Sequence, residues 1–71
     1  MKVYVLLDYE NNLISVHRRF KKALKEAIEY DPDKELYDFG WYTELPDPYF
    51  QLFNKEDNSL EFTIMKTKLE M

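Results

Sequence analysis

Apolar residues recur along this chain with two different periods, and the change from one to the other divides it into elements. Over His17–Tyr30, the residues Phe20, Ala23, Leu24, Ala27 and Ile28 fall at i, i+3, i+4, i+7 and i+8. That spacing makes one apolar stripe of a helix, with Lys21, Lys22, Lys25, Glu26 and Glu29 on the other side. A helix of about a dozen residues is marginal in water by itself, so its stripe must be buried against a larger element. Asp31-Pro32 ends it, because a residue before proline is biased away from the helical region.

The flanking segments alternate with period two. In residues 2–9, Val3, Val5, Leu7 and Tyr9 share one face of a strand and Tyr4, Leu6 and Asp8 the other. Both faces are partly apolar, which predicts a central strand. Asn11-Asn12 suits the positive φ angles of a tight turn, and Leu13–His17 then reads as a short return strand with Ile14 and Val16 inward. Leu36–Leu45 is rich in aromatic residues, and its Gly40, the sole glycine of the chain, marks a bulge or a point of close approach. Pro46-Asp47-Pro48 turns into a strand over Tyr49–Asn54, and a polar loop leads to the last strand, Leu60–Leu69, with Leu60, Phe62 and Ile64 on one face. The order ββαβββ predicts a single α+β domain over residues 1–71: an antiparallel sheet of four to five strands with one helix packed on one face.

Charge changes the picture of the helix. Residues 17–25 hold five basic groups and no acid, and residues 26–47 hold eight acids against Lys34 alone, so the two segments carry +5 and −7 within a chain of net charge −4. Arg18, Arg19, Lys21 and Lys22 crowd the first turns and Glu26 and Glu29 the last, the reverse of what the helix dipole favours. Ser15 lies too far back to cap a helix starting near Arg18. Three uses of these charges are open. The basic turns meet the acidic segment within the fold or in a second subunit, they contact phosphates, or they meet an acidic protein.

With no cysteine, neither a disulfide framework nor a thiolate zinc site is available, which fits a reducing compartment. The longest apolar run, Val3–Leu7, is far short of a membrane span, and the chain opens on a strand pattern instead of a signal peptide. A cytoplasmic protein that does not enter membranes is expected.

Few residues here suit chemistry. His17 is the only histidine, and a nucleophilic site would need it beside Ser15, on the same strand face, with no evident orienting acid. Asp31, Asp33 and Glu35 alternate as the first ligands of a calcium loop do, and so do Asn54, Glu56 and Asn58. Tyr42 and Met65 stand where each loop needs its bidentate Glu, so solvated turns are expected instead of a metal site. A non-enzyme without cofactor or metal is the expectation. Basic contact with nucleic acid through Arg18, Arg19, Lys21, Lys22 and Lys25 remains an alternative, against which stands a sequence pI near 4.9. A further alternative is an acidic surface of Asp31, Asp33, Glu35, Asp38, Glu44 and Asp47 that imitates DNA.

Aromatic residues carry the last signal: six Tyr, five Phe and one Trp are more than one helix can cover. The second sheet face should therefore show an aromatic patch, the composition of interface anchors. Tyr4, Leu6, Leu13 and Tyr42, with Trp41, are the residues expected there. Self-association as an isologous homodimer is the simplest cover for it.

The opening MKVYVLLDYE, the hairpin into ISV and the following ALKEAIEY resemble a group of short, uncharacterised proteins of phages and Gram-positive bacteria, over about the first 30 residues. Members of that group usually have a Ser or Asp pair where this chain has Arg18 and Arg19. The resemblance implies a small phage or prophage accessory protein and transfers no catalytic residue. Together these readings predict a small interaction protein that binds and modulates another protein.

Overall fold

The computed structural model describes residues 1–44 and 46–68. Strand β1 (Lys2–Asp8) turns back into β2 (Leu13–His17), and the helix α1 (Phe20–Tyr30) follows. The turn is built as the sequence dictates: Asn11 takes φ 64°, and the Asp8 carboxylate accepts the backbone N–H groups of Glu10 and Asn12 at 2.9 and 2.8 Å. These bonds favour the ionised form, so the Asp8 carboxyl is held below its ordinary 3.8, chiefly by the Asn12 N–H. A folded-state pKa below the unfolded one contributes stability that is present above the unfolded value and is lost as pH falls through the depressed value. Asp8→Ala is therefore expected to lower the urea midpoint at about pH 7, by an amount that shrinks as pH falls through the depressed value.

After the helix come β3 (Leu36–Tyr37), β4 (Trp41–Tyr42), β5 (Tyr49–Asn54) and β6 (Leu60–Lys68). All pairings are antiparallel, and the spatial order is β2-β1-β6-β5-β3, with β4 also on β5. Among the described residues six strands are thus present where four to five were expected, for a local reason. Leu36 and Tyr37 lie opposite Asn54 and Phe53, and Trp41 and Tyr42 opposite Phe50 and Tyr49. Three residues separate Tyr37 from Trp41 but only two separate Phe53 from Phe50, so β3 and β4 are two halves of one edge strand split by a bulge. Gly40, at φ 84°, supplies the left-handed residue, and Asp38 accepts its N–H at 2.8 Å. Leu45 and Leu69, the predicted ends of two strands, lie outside the described residues.

The connection β2–α1–β3 joins opposite edges of the sheet and lays the helix across one face. Ala23 and Ala27 of the stripe are fully buried, and with Leu6, Phe50, Leu52, Phe62 and Ile64 they form the core. Small residues let the helix backbone come close to the strands. Phe20 fills the helix start against Tyr4, Trp41 and Phe50 at 5.0–6.0 Å between ring centroids, and Tyr30 meets Phe62 at the other end. The helix begins at Phe20, later than the His17 of the sequence pattern, and no side chain caps it at Arg19. No acid stands in its first turn and no base in its last, as the charge pattern predicts.

Two expected placements are corrected by bulges. Leu6 lies opposite Ser15, and Leu7 opposite Leu13, so Ile14 is the extra residue and Val16 turns away from the helix. Likewise Phe62 lies opposite Leu52 and Leu60 opposite Phe53, which makes Glu61 the extra residue and puts Leu60 on the face opposite Phe62 and Ile64.

Candidate functional site

Strand register assigns every described sheet residue to one of two faces. Leu6, Ile64 and Phe50 lie side by side under the helix, which sends Val5, Met65 and Tyr49 to the open face. There a continuous row crosses the sheet: Val16 opposite Val5, Val5 opposite Met65, Met65 opposite Tyr49, and Tyr49 opposite Tyr42. The two tyrosine rings stack at 4.9 Å with 14° between planes. A second row runs Leu13, Leu7, Thr63, Gln51. At one corner Tyr37 stacks on Phe53 at 5.6 Å, and Phe39, 69% exposed, packs edge-on against both.

No described strand position on this face holds a charged residue. The positions are Val3, Val5 and Leu7 on β1, Leu13 and Val16 on β2, Tyr37 and Tyr42 on the split edge strand, Tyr49, Gln51 and Phe53 on β5, and Leu60, Thr63, Met65 and Thr67 on β6. The helix-covered face, by contrast, carries Lys2, Asp8, Lys66 and Lys68 at its ends. This inverts the usual rule, in which the solvent side of a half-buried sheet takes the charges.

The expected surface residues divide between the faces. Leu13 and Tyr42 are on the open face, 64% and 37% exposed. Tyr4 and Leu6 are not: Leu6 is fully buried under the helix, and Tyr4 packs on Phe20. Trp41 is also on the helix side, against Phe20 and Phe50, with 37% of its surface still exposed. Both faces of β1 are apolar, so alternation identified the two sets without telling which one the helix covers. The distribution of charge was the signal: on β1 the Val3, Val5, Leu7 set is uncharged, whereas Lys2 and Asp8 share a face with Tyr4 and Leu6.

The charged residues gather at the two ends of the strands. At one end are Lys2 opposite Lys68, Lys66 with its ammonium 5.9 Å from the Tyr4 ring centre, and the start of the helix. Among the described residues, no ion pair involves Arg18, Arg19, Lys21, Lys22, Lys2, Lys66 or Lys68. Lys25 reaches only Glu29, one helical turn on, at 3.9 Å. The reading in which the basic turns meet residues 31–47 of the same chain therefore finds no contact here. At the opposite end Lys34 bonds Glu61 at 2.8 Å and lies 3.7 Å from Asp31, and the Glu61 carboxylate stabilises its charged form, so its pKa is raised.

The six carboxylates proposed as a DNA-like array are not brought together. Glu35 sits beside the end of β5, its carbonyl accepting the Lys55 N–H, while Asp47 precedes the start of β5 and shares a surface hollow with Lys2, Lys66 and Lys68. The six residues of β5 separate the two by about 17 Å. Asp33 lies near Glu35, Asp38 is engaged with Gly40, and Glu44 follows β4 on the exposed edge.

Ser15 and His17 do meet, Oγ to Nε2 at 2.8 Å, with Tyr4 opposite His17. No carboxylate bonds the ring among the described residues, so the pair lacks the acid that would orient a general base. Asn54 and Asp57 are used by their own turn: Asn54 accepts the Glu56 N–H, and Asp57 accepts from the hydroxyl and N–H of Ser59, which hold its carboxyl below the usual range, while Asn58 accepts the Tyr37 hydroxyl at 3.0 Å. No cluster of three metal-ligating side chains occurs among the described residues. No described helix is long and apolar enough to cross a membrane.

No family model, curated protein or solved structure matches this chain. The surface itself must carry the functional argument.

Proposed function

We propose that this is a small non-catalytic interaction protein whose working surface is the open face of its sheet, where it binds another polypeptide chain. The observation that supports this reading is the charge-free face. In a chain that is 34% charged, fourteen strand positions on one side of the sheet carry no Lys, Arg, Asp or Glu, and all but the buried Val3 and Thr63 leave Val, Leu, Met, Tyr and Phe at least partly in contact with water. Depletion of charge with enrichment in Tyr, Phe and Met is the composition of the core of a protein interface. The resemblance of the first 30 residues supports a phage or prophage accessory protein, and the absence of cysteine fits a reducing, cytoplasmic setting.

The test is affinity capture with wild type and Val5→Lys as parallel baits. A polypeptide retained by wild type and lost by the variant is the expected result. Equal recovery on both baits, or recovery of nucleic acid without protein, would count against the open face.

One observation favours a second reading, nucleic-acid contact. The end of the molecule holding Lys2, Lys66, Lys68 and the helix start leaves its cations without ion pairs among the described residues, beside a part-exposed Trp41 on which a base could stack. Binding of that kind falls steeply with salt and would weaken in an Arg18→Glu, Arg19→Glu variant. Absence of a gel shift at about 50 mM salt removes it.

A further inference from the structure

Resting on the open-face reading, we infer that the occupant of this face is a second copy of the same chain, packed sheet to sheet in a two-fold dimer of four layers, helix, sheet, sheet, helix. Three observations converge on a like partner. The first is coverage. A sheet apolar on both sides must bury both, and the one helix among the described residues covers one.

The second is charge. Two copies of a chain with net charge −4 repel wherever charged surfaces meet, and the open face is the surface on which they do not. Packed there, the sheets stand about 10 Å apart and the helices form the outer layers, so the helix charges of the two copies are separated by more than the Debye length of about 8 Å at physiological salt. An uncharged face carries nothing that a copy of itself would oppose. A foreign partner is usually selected by complementary charge, which this face does not offer.

The third is area. Five strand widths at about 4.8 Å and three side-chain rows along each strand give a face on the order of 500 Å² per copy. The pair buries on the order of 1,000 Å², the size of weak, transient interfaces, which fits a reversible dimer.

Met65 stands at the middle of the row Val16, Val5, Met65, Tyr49, Tyr42, so a two-fold axis through the centre of the face sets it near its own mate. The experiment is sedimentation equilibrium from about 1 to 200 μM on wild type, Met65→Lys, Met65→Glu and an equimolar mixture of the two variants. Far-UV circular dichroism at the lowest concentration establishes that each variant is folded. Wild type is expected to rise from 8.7 kDa towards twice that mass, each variant to stay at the lower mass, and the mixture to recover association through the opposed charges. Recovery on mixing separates a lost interface from a damaged fold.

Wild type at 8.7 kDa throughout overturns the dimer. If Val5→Lys still loses a captured protein in that case, the open face keeps its role with a foreign partner and only the identity of the occupant falls. Self-association undiminished in both Met65 variants overturns the dimer on this face, and unaltered capture by Val5→Lys then removes the face as the working surface as well.

Discussion

Ile64→Ala is expected to destabilise the fold by about 2–5 kcal/mol, the range for removing a large aliphatic side chain from a core that cannot collapse around the gap. Ile64 is fully buried on β6, opposite Leu6 on one side and Phe50 on the other, with the helix above. Leu6 and Phe50 are held by strand pairing, so the cavity closes poorly. A domain of this length has a total stability of about 4–11 kcal/mol, and the loss takes a large part of it. At about 4–8 °C per kcal/mol the melting midpoint should fall by at least about 8 °C. Leu13→Ala, which removes a comparable side chain that is 64% exposed, should stay within about 0.5 kcal/mol in the same measurement at a concentration where the chain is monomeric. A comparable loss at both positions would show that Ile64 is not the centre of the core.

The second large effect runs the other way in volume. Ala27→Leu should cost about 1–3 kcal/mol although leucine is an excellent helix former, because Ala27 is 1% exposed on the stripe facing the sheet. Extra methylenes there must lift the helix from Leu52, Phe62 and Ile64 or force strained rotamers. Urea denaturation of wild type and variant measures it, and an unchanged or raised midpoint would mean that the helix does not rest on the sheet through its alanines.

Much of this architecture is written in local pattern. The stripe from Phe20 to Ala27, the stop at Asp31-Pro32, the turn at Asn11 and the interruption at Gly40 each rest on a physical preference of the residue concerned, and each recurs in the structure, whereas Ile28, expected on the same stripe, is 49% exposed. Strand β5 has the predicted bounds, Tyr49–Asn54. Faces are harder to read. Ile14 and Glu61 each add one residue to a strand, and one inserted residue reverses every side chain beyond it, so Val16 and Leu60 ended opposite to where simple alternation puts them. Nothing in either residue type announces a bulge. The candidate surface was legible only in part for the same reason: Leu13 and Tyr42 are on it, and Tyr4, Leu6 and Trp41 are beneath or beside the helix.

The spatial order β2-β1-β6-β5-β3 has a consequence for synthesis. Of the described strands, β6 leaves the ribosome after the other five, yet it is the one at the centre, inserted between β1 and β5. Until residues 60–68 emerge, the nascent chain holds a hairpin, a helix stripe and a second strand group with no strand to join them, so its core cannot close. Contacts between the first and last strands have the largest sequence separation the chain offers, and such contacts form late and slowly. During that interval the apolar sides of β1 and β5 are open together, the kind of transiently exposed surface from which a newborn chain aggregates.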